Sequence, residues 1–202
     1  MKTVITHKIE NKNIRLKKNE KLTYVAILKD GWKKPKRLNF LLEGKNSSIT
    51  FLGFIIGKNT EDFPFETYSN HEAQNTSGYF STISILFDKS SVEYSGTIKA
   101  ERNANKTESY LNHHTLMFSD NTKTSTTPSL KIKNDDVVTG HSASIGNVDE
   151  DIVFYLQTRG INRELCEKLM VKKFIESGIQ KIRDKKTRRN VIKEIDKLLT
   201  NQ

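Results

Sequence analysis

Between about Leu22 and Ser144 the chain is written as short apolar, β-prone runs separated by polar breaks, an alternation that confines this stretch to an all-β body. Tyr24-Val25-Ala26-Ile27-Leu28, Leu38-Asn39-Phe40-Leu41-Leu42 and the run from Ile49 to Ile56 come first. Phe80 to Phe87, Val92 to Ile98, Thr115 to Phe118, Leu130-Lys131-Ile132 and Val137-Val138 follow. The breaks hold turn-forming residues, as in Lys45-Asn46-Ser47-Ser48, Asp88-Lys89-Ser90-Ser91 and Asn103-Ala104-Asn105-Lys106. Strand starts recur every roughly 11–15 residues, with no amphipathic helical stripe of about ten residues between them. A sandwich, a barrel and a stacked solenoid all satisfy this spacing, and small inward residues with polar corners fit the solenoid.

At Asp149 the period changes. Asp149 has the chemistry of an N-cap, and Glu150 and Asp151 follow in the first turn, where the helix dipole favours negative charge. Ile152 to Arg159 then reads as a short helix stopped by Gly160 in a left-handed position. Asn162 is placed to cap a second helix with Cys166, Leu169, Met170 and Phe174 at i, i+3, i+4 and i+8, and Gly178 is expected to end it. A third helix carries Val191, Ile192, Ile195, Leu198 and Leu199 on a charged body. The expected organisation is a β body over residues 1–148 and a small helical domain over 149–202. At least one helix should pack on the β body; the last, approached by the basic stretch Lys181 to Arg189, is the better candidate for a partner contact.

No apolar run approaches the roughly 18 residues of a membrane span. Met1 to Lys8 lacks the apolar core of a signal peptide, so a soluble cytoplasmic chain is expected. A single cysteine, Cys166, excludes an internal disulfide and any Cys-based zinc finger, and on an apolar helical stripe it reads as a buried structural thiol. The net charge of +10 comes from 34 basic and 24 acidic residues. Residues 1–37 hold 12 Lys/Arg against 3 Asp/Glu, whereas residues 38–148 hold 9 against 12. The basic segment from Lys8 to Arg37 therefore supports an alternative reading, a β-protein that binds nucleic acid or an acidic protein.

Motifs for nucleotide binding and common catalysis are absent: no GxxxxGK[ST], no GxGxxG, no HExxH, no CxxC and no GxSxG. The chain is expected to bind no nucleotide and to be no enzyme. Adjacent His113 and His114 point to opposite faces of a strand and so share no metal; both read as exposed or half-buried. His71 reads as a structural hydrogen-bonding residue. His141, between the last strand and the first helix, has small neighbours on both sides, and Asp135 and Asp136 upstream are expected to orient it or raise its basicity.

Taken in order, Ser69-Asn70-His71-Glu72-Ala73-Gln74-Asn75-Thr76-Ser77-Gly78 resembles the NHxxxxTxG segment of the SufB/SufD family, the β-helical subunits of the SUF iron–sulfur assembly machinery. The likeness continues through Ser95 to Lys99, Asn103 to Tyr110, Leu116 to Asp120, Pro128 to Ile132 and Asp135-Asp136-Val137 to His141. It is strongest at Ile145-Gly146, Asp149-Glu150-Asp151 and Phe154-Tyr155-Leu156-Gln157-Thr158-Arg159-Gly160-Ile161. The resemblance implies a right-handed parallel β-helix core with a C-terminal helical domain. It implies docking of the SufC ATPase on those helices, through residues such as Phe154, Tyr155, Arg159, Leu169 and Phe174. It also implies pairing with a SufB-like core, or with a second copy, through the β-helix ends, and a transient iron–sulfur cluster or iron contacted there by His141. The DDVxxxH context of that histidine is closer to SufD than to SufB. Thr139 stands where SufD-type chains often carry Cys, no cysteine matches the thiols of SufB, and the long N-terminal helical domain of typical members has no counterpart. Fe–S clusters being held mainly by Cys, a Cys-bearing partner would have to complete any site.

Overall fold

The computed structural model describes residues 2–200. Eleven strands wind into a parallel β-solenoid of about 5 turns, followed by 3 helices. The odd-numbered strands β1 (Lys2–Thr6), β3 (Lys21–Leu28), β5 (Ser48–Gly57), β7 (Ser77–Leu86), β9 (Thr107–Met117) and β11 (Val137–Asn147) stack in that order as one sheet. The even-numbered strands β2 (Lys12–Leu16), β4 (Lys36–Leu42), β6 (Asp62–His71), β8 (Ser91–Ala100) and β10 (Lys123–Ile132) form the other. Each coil is thus one strand from each sheet, and two sequence intervals make one turn of the solenoid.

Parallel, in-register stacking places equivalent residues above one another, so the lumen fills in columns. Val4, Tyr24, Phe51, Phe80 and Leu111 form one column; Phe40, Phe63, Phe65 and Tyr94 face it from the second sheet. Ring centroids of Phe40 lie 5.5 Å from both Phe51 and Phe80, close enough for tilted aromatic packing through the coils. The corners explain the abundance of asparagine. Asn19, Asn46, Asn75 and Lys106 recur at one corner with positive φ, and Asp30, Asn59 and Asp88 at another. Asn and Asp tolerate this left-handed conformation better than other side-chain-bearing residues. The amides of the first set bond to the next coil, as in Asn75 N–H to Asn105 O at 2.8 Å.

Strands β1, β2 and β6 carry no apolar run that announces them. In β6, Phe63, Phe65, Thr67, Ser69 and His71 face inward while Glu66 and Asn70 face out, so half of its buried set is polar. Pro64 is tolerated because the ladder to β4 begins only at Phe65, leaving it a neighbour on the β8 side alone.

The three helices are α1 (Glu150–Thr158), α2 (Arg163–Ile179) and α3 (Lys185–Thr200). Asp149 caps α1 by accepting from the amides of Asp151 and Ile152, Asn162 caps α2 by accepting from Leu165 N–H, and Gly160 adopts φ 85 after α1. Gly178 does not end α2. It lies inside the helix at its closest approach to the sheet, where an added Cβ would meet Ile83 Cδ1 at 2.8 Å. Nor is the apolar face of α3 free for a partner. Val191, Ile195 and Leu199 are buried with Val171, Ile175 and Ile179 of α2 against Val25, Ile27, Leu52, Phe54, Ile83 and Ile85 on the outer face of the six-stranded sheet. Those outward positions are apolar, and covering them is what holds the last helix. Among the described residues, no helix is long and apolar enough to cross a membrane.

Candidate functional site

The histidines sort by column. His71, buried at the end of β6, shares hydrogen bonds with Thr76 Oγ1 at 2.9 Å and Ser109 Oγ at 3.1 Å. Gly78 makes room for it, since a Cβ there would come within 2.6 Å of Ser109 Oγ and 3.2 Å of the imidazole. The His71, Thr76 and Gly78 of the NHxxxxTxG segment are therefore a structural lock between coils. Burial holds His71 down at about 4.

His113 is neither exposed nor half-buried. It lies in the lumen of β9, bonded to Ser84 Oγ at 3.0 Å and packed against the Tyr94 ring at 4.8 Å, and burial lowers it to about 4. His114 points outward, half-buried, with Nδ1 2.7 Å from Ser144 Oγ; burial lowers its pKa as well.

His141 lies not between the last strand and the first helix but within β11, the last strand of its sheet, which runs on to Asn147 through its ladder with β9 and sets His141 opposite Leu111. It therefore ends the column Val4–Tyr24–Phe51–Phe80–Leu111, and it is exposed because no further coil follows. A ring at this position faces whatever closes that end of the solenoid. Asp135 and Asp136 sit in the turn before β11, and about five residues of extended strand, roughly 16 Å, separate Asp136 from His141. The expected orienting contact is absent for that reason. Ser142 Oγ bonds Asn112 Oδ1 at 2.7 Å, which ties the edge strand to its neighbour beside the ring.

Among the described residues, no three His, Cys, Asp or Glu converge as a metal site. Cys166 is buried under α1 with Val148 and Val153, its Sγ 3.7 Å from Ile161 O.

The second surface lies on α1 and α2. Ile152, Tyr155 and Arg159 follow one another at i, i+3 and i+7, with Phe154 beside them. Phe154 is 69% exposed and Tyr155 55%, and the Arg159 guanidinium lies over the Tyr155 ring at 5.2 Å. Leu169 and Phe174 belong to a neighbouring apolar groove of about 650 Å³ with Ile152, Met170, Leu116 and His114. The groove residues Leu116 and His114 come from β9, and outward alternation along that strand was the signal available for them. Arg163 fixes α1 against α2, donating to both carboxylate oxygens of Glu150 at 2.7 and 3.0 Å and to Glu167 at 2.9 Å. These bonds hold the Glu150 carboxyl below its ordinary range.

Residues 3–174 match the family described as "SUF system FeS cluster assembly, SufBD core domain". The iron–sulfur cluster assembly protein SufD of Bacillus subtilis is 27% identical over 143 residues, covering 71% of this chain and 33% of that protein. SufD of Escherichia coli is 25% identical over 158 residues, covering 78% and 37%. A SufBD family protein of Pyrococcus horikoshii is 30% identical over 139 residues, covering 69% and 31%. The chain thus spans about a third of the length of these relatives. A parallel solenoid whose signature histidine, threonine and glycine interlock, and a family match across most of its coils, place this SufD-like chain in the SufBD core family.

Proposed function

We propose that the chain is a SufD-type core subunit in iron–sulfur cluster assembly, pairing through its β11 end with a Cys-bearing SufB-type core or a second copy. The observation that carries this reading is the state of that end. From Val137 to Asn147 the edge strand holds no Asp, Glu, Lys or Arg, and it exposes Val138 at 59% and Ile145 at 48%. An open, uncharged edge strand is a template for another chain, and soluble proteins normally guard such edges with charge. His141 stands in the middle of it as an imidazole donor, the nascent cluster being cargo completed by thiolates where the partner is the Cys-bearing core.

The α1–α2 surface serves, on the same reading, as the dock for a SufC-type ATPase, with Phe154 and Tyr155 as aromatic anchors and Arg159 beside them. ATP hydrolysis then belongs to that separate subunit. The alternative, a polyanion binder built on Lys8 to Arg37, has less support, because Arg15 and Arg37 of that segment are paired with Glu43 and Glu66.

The test uses co-expression with a Cys-bearing core and an ATPase of the same system. Val138→Lys together with Ser144→Lys should abolish core pairing by mass measurement without changing the circular dichroism. His141→Ala should leave pairing intact and reduce the visible absorption of the assembled cluster. Phe154→Ser with Tyr155→Ser should remove the ATPase from pull-downs. Undiminished pairing with two lysines on β11 would discard the proposed joint.

A further inference from the structure

A cleft of about 780 Å³ opens on the outer face of the six-stranded sheet, beyond the part that α2 and α3 cover. Its floor is two register rows. One runs Lys21, Ser48, Ser77, Glu108 and the other Thr23, Thr50, Tyr79, Tyr110, each residue lying opposite the next across β3, β5, β7 and β9. One wall is the connection between α2 and α3, which contributes Lys181 and Arg183. The volume suits a small molecule, and the lining of hydroxyls, amides and charges suits a polar one.

Charge in the cleft is sorted rather than paired. Lys21 and Arg183 have no carboxylate within ion-pair distance among the described residues, and Lys181 lies over the Tyr79 ring at 4.8 Å. Lys21 and Glu108 stand three strands apart in one row, roughly 14 Å, so the carboxylate does not neutralise the cation. The wall is also held in place. Ile182, between the two cations, is 1% exposed, and Arg188 donates to its carbonyl at 2.8 and 3.2 Å. Asp184 caps α3 by accepting from Thr187 N–H at 2.7 Å, and Lys185, Lys186 and Arg188 follow in the first turn.

We infer that this cleft binds a phosphorylated polyol, a small hydroxylated molecule carrying a phosphate monoester. Lys181, Arg183 and Lys21 take the phosphate through charge-assisted hydrogen bonds. Glu108, Ser48, Ser77 and Thr50 lie within the same cleft to bond the hydroxyls. The site is separate from the β11 end and the α1 surface, so it stands independently of the assembly role.

Calorimetry on the full chain tests this with ribose 5-phosphate, inorganic phosphate and ribose as probes. Ribose 5-phosphate should bind one per chain, about tenfold tighter than inorganic phosphate, and ribose should give no heat. Lys181→Gln with Arg183→Gln, both at exposed positions, should weaken ribose 5-phosphate by about tenfold or more while circular dichroism is unchanged. Glu108→Gln should remove the preference over inorganic phosphate. Absence of binding by ribose 5-phosphate, equal affinity for inorganic phosphate in the unaltered chain, or a double variant that binds as before would each overturn the inference.

Discussion

Lowering the pH from 7 to 5 should strip this solenoid of stability through two imidazoles that have no access to water. His71 and His113 are held at about 4 in the folded chain, chiefly by burial, against about 6.5 for an unperturbed histidine. A lowered folded value means that the unfolded chain binds the proton first. The stability from each ring is therefore fully present above about 6.5, falls as the pH drops, and is lost by about 4. At pH 5 the unfolded ring is almost wholly protonated and the folded one almost wholly neutral, a difference of about 2 kcal/mol per ring and about 4 kcal/mol for the pair. That is a large share of a typical domain stability of about 5–15 kcal/mol. Stopping at pH 5 leaves carboxylates, with ordinary values near 4, mostly ionised. Urea denaturation at the two pH values reads the effect directly. His71→Gln and His113→Gln will each lower the baseline by disturbing the lumen, but each should also halve the pH-dependent loss, and the double variant should nearly abolish it. His114, half-buried and lowered in the same direction, adds a smaller contribution. A wild-type loss below about 1 kcal/mol, or a His71→Gln variant that keeps the whole of it, would refute the assignment of the proton sites.

Other perturbations separate the packed parts from the presented ones. Phe54→Ala removes a buried ring between the sheet and α2 and should cost about 3–5 kcal/mol in thermal or urea unfolding. Phe154→Ser, at a ring 69% exposed, should leave stability within about 0.5 kcal/mol, so a lost ATPase contact in that variant is a surface effect. Asn75→Ala keeps a φ of 54 with a residue poorly suited to it and should cost about 1–2 kcal/mol by the same measurement. Cys166 should resist alkylation by iodoacetamide until the chain unfolds, because it is buried beneath α1.

The β body, the change of period at Asp149 and all three helices were legible because apolar spacing and capping chemistry act locally. The strands β1, β2 and β6 were not, since a solenoid lumen accepts Thr67, Ser69 and His71 where a sandwich core would demand apolar residues. Their register to neighbouring coils, and the aromatic column beside them, supply the stability that the strands themselves do not advertise. His113 was misplaced for the same reason. Its alternation was correct, but a polar lumen with Ser84 and Thr115 on hand was needed to keep it inside. The amphipathic face of α3 was legible as a stripe, and only the apolar outer face of the sheet decides that it is already covered. The end position of His141 follows from coil count, which spacing alone leaves open.

The two C-terminal edges of the solenoid are not equivalent, and the difference bears on where a partner core would join. Strand β10 ends its sheet with Lys123 and Lys131 at its ends and Pro128 within it, devices that discourage strand addition. At the other end of the stack, β1 and β2 carry Lys2, Lys12 and Arg15. Strand β11 alone among these four terminal strands has neither a charged residue nor a proline, and it is eleven residues long. An uncharged edge of that length would aggregate if left open, so its retention makes sense where a second chain covers it. Pairing through β11 and not β10 would lay the partner strand alongside residues 137–147, with Val138, Gly140 and Ser142 on the outer face of the sheet and His141 on the face turned toward the lumen. The imidazole would then lie just inside the joint rather than on its outer seam, shielded from solvent by the added chain.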